Sequence, residues 1–261
     1  MTFADAKQRF STRVADYVRY RPGYPPTCLA LLGAVCGLER QHVIADIGSG
    51  TGLLSQLFLR NGNRVFGVEP NEEMRAAGEA FLDDYAEFQS VPGSAEATTL
   101  PADSVDLIAA AQAFHWFNPT AARVEFERIL RPGGWVVILW NERLTDTTPF
   151  LRAYETLLLR FGTDYHQVKQ SYPGPEQMRS FFGSWPFTTY ELPNSQEFDF
   201  AGLSGRLRSS SYVPTPDEFR FWPMMDELQR IFAAYQQSGG VRIDYRTRIY
   251  ASQWRRDGSH A

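Results

Sequence analysis

"VIADIGSGTGLL", residues 43–54, decides the fold. An apolar run ends at Asp46, Gly48, Gly50 and Gly52 follow at alternate positions, and a second apolar run opens at Leu53. A tight loop from a strand's carboxyl end into a helix has backbone N–H groups and a positive dipole end pointing outward, so it attracts an anionic or strongly polar part of a ligand. Glycines allow a ligand to touch the main chain and permit positive φ. A plain strand-to-helix turn needs one glycine, not three after an acid. The spacing is G-x-G-x-G with Leu at 53, whereas a dinucleotide fingerprint needs G-x-G-x-x-G, so a nicotinamide cofactor fits poorly.

Working outward, short apolar runs alternate with helix-like stretches from residue 25 to about 140, the pattern of a parallel sheet with crossover helices. The strands expected are "HVIAD", "RVFGVE", "EFQSV", "VDLIAAA" and "WVVILW", with helices over 25–37, 52–61, 71–82 and 119–130. Pro25 and Pro26 fit a first helical turn, and "RPGG" at 131–134 ends the fourth helix. After Trp140 the rhythm breaks. Helical segments near 148–161 and 175–182 precede the β-like "PFTTYELPNSQEFDF", more helix, and the alternating "VRIDYRTRIYASQW". Residues 1–20 and the tail from Arg255 are expected to be mobile unless docked.

The chain has 261 residues, 43% of them hydrophobic, enough for one α/β domain with an insertion. A net charge of -4 gives no electrostatic reason to expect nucleic acid. Cys28 and Cys36 lack metal-type spacing and sit too far apart along a helix to bond, so they read as buried free thiols in a reducing compartment. With no apolar run of membrane-spanning length and no charged-then-apolar leader, the expectation is a cytoplasmic protein with no membrane partner. No metal set is expected.

Glu69 ends the second strand about twenty residues past the loop, where a carboxylate can accept from both hydroxyls of a ribose. Together, "DIGSGTG", "GVEPNEEM", "GSAEATTLPADSVDLI" and "ILRPGG", in this order over about residues 40–140, resemble the class I S-adenosylmethionine-dependent methyltransferases. The resemblance implies an α/β, Rossmann-like, seven-stranded, mostly parallel sheet flanked by helices, its last strand antiparallel, with a helical lid inserted after strand five. It implies an N-terminal arm and first helix over 1–40, a cofactor-binding core over 41–144, a lid and substrate insertion over 145–240 that includes strand six, and a last strand and tail over 241–261. It also implies S-adenosylmethionine as donor and S-adenosylhomocysteine as product. Asp46, Gly48, Ser49, Gly50 and Gly52 would face the methionine part, Glu69 the ribose, Pro70 and Met74 the adenine, and Ser94 and Ala95 the adenine edge. Glu96 would be a further partner or a solvated carboxylate, and Gln112 would lie beside the methionine part or form a polar bridge.

"AAAQAFHWFNP" after the fourth strand lies on the same sheet edge. Phe114, Trp116 and Phe117 could form an apolar wall favourable to a cation, or pack as core. His115 could take a proton from a hydroxyl or amine nucleophile, or only orient an acceptor that is already ionised. "YVRYRPGYP" and "QAFHWF" resemble the subgroup containing trans-aconitate methyltransferases. That resemblance implies a closing arm with Tyr17, Tyr20 and Arg21, and an acceptor pocket lined by Arg206 and Tyr212 of "SGRLRSSSYVP", although arginine is usually a surface charge. The reading is methyl transfer to a small molecule, at oxygen, a carboxylic acid by subgroup analogy, in a monomer or homodimer. Transfer to carbon or nitrogen, and a non-catalytic S-adenosylmethionine-binding protein, are the alternatives.

Overall fold

The computed structural model describes residues 18–170 and 174–254; the expectations for Tyr17 and for the tail from Arg255 lie outside them. Seven strands form one sheet in the order β3-β2-β1-β4-β5-β7-β6. They are β1 Val43–Ile47, β2 Arg64–Val68, β3 Phe88–Val91, β4 Val105–Ala111, β5 Leu130–Arg143, β6 Thr188–Phe198 and β7 Val241–Gln253. The pairs β1–β2, β1–β4, β2–β3 and β4–β5 are parallel. Two hydrogen bonds show that β7 runs against β5: Leu144 N–H donates to the Asp244 carbonyl and Trp254 N–H to the Gly134 carbonyl, each at 2.9 Å. The expected mostly parallel sheet with an antiparallel last strand is the one observed.

The helices are α1 Thr27–Cys36, α2 Leu53–Asn61, α3 Glu72–Phe81, α4 Pro119–Ile129, α5 Pro149–Phe161, α6 Tyr165–Gln170, α7 Pro175–Phe182, α8 Phe200–Arg208 and α9 Phe221–Tyr235. Helices α5 to α7 fall between β5 and β6, and α8 and α9 between β6 and β7. Each start has a local cause. Asn71 and Asn118 accept from the Met74 and Ala121 N–H groups at the starts of α3 and α4, and Thr148 and Asp199 cap α5 and α8 in the same way. Pro25 and Pro26 lie just before α1 rather than within it: Pro26 is its N-cap residue, and the two proline carbonyls accept from Cys28 and Leu29. Helix α6 was not anticipated, because six residues carry too little periodicity to stand out.

The chain divides into two compact units. The first comprises residues 1–22, 142–172 and 193–246, and the second 23–141, 173–192 and 247–261. The first has a core of Leu151, Tyr154, Leu158, Leu203, Met224 and Leu228 with Ile243 of β7. The second packs Ile44, Phe58, Val65, Leu107 and Val137 with Ile249. Cys28 and Cys36 are free thiols buried in this second core, and burial pushes both up to about 12. They are therefore protonated and unreactive at neutral pH.

Glu125 of α4 ties the segment before β4 to the helix after it. Its carboxylate accepts from the Thr98 N–H at 2.8 Å and twice from Arg128 at 2.7 Å. Burial alone would raise its pKa, but the bonds from Arg128, then those from Thr98, hold it below the usual carboxylate range. The stabilisation is thus complete above the unfolded-state pKa and is lost as pH falls through the lower folded value. Glu125→Gln is expected to cost about 1–3 kcal/mol at neutral pH. In denaturant titrations the gap from wild type should close in acid; a gap unchanged with pH would exclude the charge as its source.

Candidate functional site

The loop after β1 is folded tightly onto the end of β2. Gly48, Gly50 and Gly52 have φ of 68°, 56° and 83°. A Cβ on Gly48 would lie 2.5 Å from the Ala113 Cβ, and one on Gly52 would lie 2.5 Å from Leu82 Cδ1. Both conformation and space therefore require glycine at these two positions. The Gly48 and Ser49 N–H groups donate to the Val68 carbonyl at 2.8 and 3.1 Å, Gly50 N–H to Glu69 Oε2 at 3.0 Å, and Gly52 N–H to the Ser49 carbonyl at 2.9 Å. These four donors are used within the chain.

The charge around the loop is negative. Asp46 is 1% exposed; its Oδ2 accepts from Ser55 Oγ at 2.7 Å, and its Oδ1 is buried with no partner. Burial, opposed by the Ser55 hydrogen bonds and reinforced by Glu69, pushes Asp46 up to about 7. Thr51 Oγ1 is also buried without a partner. Glu69 spans two turns, its second oxygen accepting from the Asn71 N–H at 2.9 Å, while Arg75 donates to its carbonyl. Pro70 follows it, half-buried, and Met74 is buried with its Cε 3.4 Å from where a Gly50 Cβ would stand.

At the end of β3, Ser94 and Ala97 exchange two backbone hydrogen bonds and Ala95 is buried between them. Glu96 accepts from the Asn118 N–H at 2.7 Å and so anchors the start of α4, a role not read from the sequence. Gln112 forms a polar bridge, with Nε2 donating to the Asn141 carbonyl at 3.0 Å. Its φ is 57°, left-handed for a non-glycine residue. Asn141 in turn donates to the Gly23 carbonyl at 3.1 Å and accepts from Thr247 Oγ1 at 2.5 Å. Neither Asn141 nor Thr247 was singled out from sequence, since an Asn inside an apolar strand run carries no motif.

Residues Phe114–Trp116 form one turn of 3-10 helix. Phe114 is the buried member of the aromatic group and meets Phe117 and Phe181 edge-on at 5.9 and 4.9 Å; Trp116 and Phe117 are half-buried. The His115 ring lies 4.4 Å from Trp116 and 5.2 Å from Trp140, and its Nδ1 is buried with no partner. Burial pushes His115 down to about 4, so it is neutral at physiological pH.

The remaining sequence candidates, Tyr20, Arg21, Arg206 and Tyr212, fall in the first unit, apart from the loop's unit. Arg206 is buried rather than a surface charge, and Tyr212 is buried too. Among the described residues no His, Cys, Asp and Glu set could hold a metal, and no helix is long and apolar enough to cross a membrane.

A glycine loop at the carboxyl ends of parallel strands, with one carboxylate near the end of β1 and another just after β2, defines the site class, and the comparisons agree. A family model described as a methyltransferase domain matches residues 45–138. An uncharacterized methyltransferase of Mycobacterium tuberculosis is 29% identical over 250 residues, 93% of this chain and 94% of its own. A methyltransferase-family protein of Dictyostelium discoideum is 31% identical over 201 residues, 73% of each chain. A structure from Anaeromyxobacter dehalogenans assigned to the type II methyltransferases superposes with a TM-score of 0.66 at 22% identity, covering 90% of this chain and 98% of its own. A Haemonchus contortus phosphoethanolamine N-methyltransferase solved with S-adenosyl-L-methionine gives 0.59 at 16% identity, over 97% and 59%. The chain belongs to the class I S-adenosylmethionine-dependent methyltransferases.

Asp46 gives a test of the loop's electrostatics. Its folded pKa is raised, so the folded state holds its proton more tightly than the unfolded chain between about 4 and about 7. Stability in the absence of ligand should therefore fall as pH rises through that window. Asp46→Asn is expected to flatten the decline in urea titrations from pH 4 to 8; an identical slope in the variant would refute the assignment.

Proposed function

We propose that the protein transfers a methyl group from S-adenosylmethionine to an oxygen of a small molecule, releasing S-adenosylhomocysteine. One observation carries the donor assignment: the glycine loop spends the N–H groups of Gly48, Ser49, Gly50 and Gly52 inside the chain while the Asp46 and Glu69 carboxylates flank it, with Asp46 Oδ1 left unpaired. A dinucleotide pyrophosphate needs free N–H donors and would meet two acids here. A ligand carrying ammonium and sulfonium charge, and hydroxyls for Glu69, suits the same surroundings. When bound, that donor supplies an activated methyl group which an acceptor attacks in line.

The chain's own part is to bind, orient and exclude water. Asp46 receives positive charge, Glu69 accepts from a diol, and Pro70, Met74, Ser94 and Ala95 form the adenine side. Trp116 and Phe117 supply aromatic surface that favours a cation. His115 is too weakly basic to take a proton from an alcohol or an ammonium group. It therefore serves as a neutral hydrogen-bonding group, and the reading that fits is an acceptor oxygen already ionised at neutral pH, as in a carboxylic acid.

The donor assignment is tested by thermal unfolding with S-adenosylmethionine, S-adenosylhomocysteine and NAD. The first two alone are expected to stabilise the protein, by about 2.7 kcal/mol at a hundredfold excess over Kd. Stabilisation by NAD alone would reverse the assignment. Glu69→Ala should weaken donor binding by about 1–3 kcal/mol. For His115, kcat/KM is expected to show no histidine limb between pH 6 and 8, and His115→Asn should keep more turnover than His115→Ala; a limb near 6.5 that vanishes in both variants would make it a base.

A further inference from the structure

The chain leaves β4 by a strained residue. Gln112, the first past the strand, has φ 57°, a left-handed conformation in which Cβ crowds the carbonyl that follows it. Its N–H still makes a ladder bond to β5, donating to the Leu139 carbonyl at 3.1 Å. In a parallel ladder the next donor, two residues on, would be residue 114, and its acceptor the Asn141 carbonyl. Phe114 lies instead in the 3-10 turn, and the Gln112 side chain takes that acceptor, with Nε2 donating at 3.0 Å. The acceptor is itself fixed, because the Asn141 side chain donates to the Gly23 carbonyl and accepts from Thr247 Oγ1.

A residue in such a conformation persists only where its surroundings dictate it, and such residues gather at functional sites. Here the consequence is the placement of the turn. Ala113 comes next, its methyl 2.5 Å from where a Gly48 Cβ would stand. Two residues later the His115 ring rests on Trp140, centroids 5.2 Å apart. Three consecutive residues of β5 therefore hold the turn: Leu139 and Asn141 take Gln112, and Trp140 takes His115. An extended residue at 112 would continue the ladder instead.

We propose that Gln112 is a positioning residue: its amide, bound to Asn141, holds the turn that sets Ala113 against the glycine loop and His115 against β5, and it acts through them rather than by contact with donor or acceptor. A glycine at 112 would take the same backbone conformation without strain but could not bind Asn141, so the turn would be allowed yet no longer held. The burial of His115 reports on the turn directly. Burial is the one cause of its low basicity, so a turn that loosens and admits water returns its pKa toward the ordinary histidine value. The positioning role stands on the turn alone; only its effect on donor binding rests on the proposed function.

The test is an NMR titration of the histidine imidazoles in the full chain from pH 5.5 to 8, with the His115 signal assigned by its loss in His115→Asn. In the wild type that signal should stay at its neutral position throughout, whereas in Gln112→Gly and Gln112→Met it should titrate toward about 6.5. Glu125→Gln, destabilised through another contact, should leave it unmoved. Calorimetry with S-adenosylhomocysteine should show affinity falling roughly tenfold in both Gln112 variants, the loss expected if the turn is correctly placed a tenth of the time. The proposal is overturned if His115 keeps its wild-type titration in both variants; affinity lost without that change would make Gln112 a donor contact instead. It is also overturned if Glu125→Gln moves His115 equally, since the signal would then follow stability and not the turn. A wild type that binds no S-adenosylhomocysteine would refute the donor assignment and leave the His115 titration to decide this proposal. Affinity unchanged in both variants of a protein that does bind would overturn the effect on the donor site.

Discussion

The contact between Gly48 and Ala113 constrains everything around it. With 2.5 Å between a would-be Cβ and the Ala113 methyl, the loop after β1 can lie against the end of β4 only if residue 48 has no side chain. That approach brings the loop to the end of β2, where the Val68 carbonyl takes two of its N–H groups and Glu69 a third. Because Glu69 also accepts from Asn71, the residue that caps α3, the loop, the strand end and the helix start are fixed by one carboxylate. A site made this way is preorganised by the main chain, which loses less on ligand binding than one assembled from mobile side chains.

The same bonds set the sign of the site. Strand-to-helix loops are usually argued to favour anions, because a helix N-terminus offers free N–H groups. Here the Gly48, Ser49, Gly50 and Gly52 N–H groups are committed within the chain, and beside them stand Asp46, whose Oδ1 lacks a partner, and Glu69. The raised pKa of Asp46 measures what burial and the second acid cost an anion at that place. A ligand cation would reverse the balance, lower that pKa and release a proton on binding near neutrality.

The fold was legible because its signals are local. The alternation of apolar runs and helices acts over a few residues, and the strands from Val43 to Trp140 came out close to the expected positions, except that β5 begins at Leu130 and takes in residues 131–134, which were expected to turn the chain before it. Gly48 and Gly52 were legible for the same reason. The commitment of the loop's N–H groups was not, since the acceptors at Val68 and Glu69 depend on how β2 lies beside β1. Glu96 was left open from sequence because its partner, the Asn118 N–H, is 22 residues away. Arg206 was left open between a pocket residue and a surface charge because nothing near it in the chain announces its partner Tyr245, 39 residues on.

Three residues hold arrangements that folding alone would remove. Gln112 sits at φ 57°, a left-handed conformation that costs a non-glycine residue about 1–2 kcal/mol. It is kept there by its amide bond to Asn141, which also ties in Gly23 and Thr247, so the strain is held by four segments rather than one. Asp46 buries a carboxylate with half its oxygens unpaired, and Arg206 buries a guanidinium among neutral partners. The two buried groups are of opposite sign, Asp46 in the second unit and Arg206 in the first. Each lowers the stability of the protein without ligand, and a ligand group of opposite charge would relieve it, the physical form that a trade of stability for binding takes.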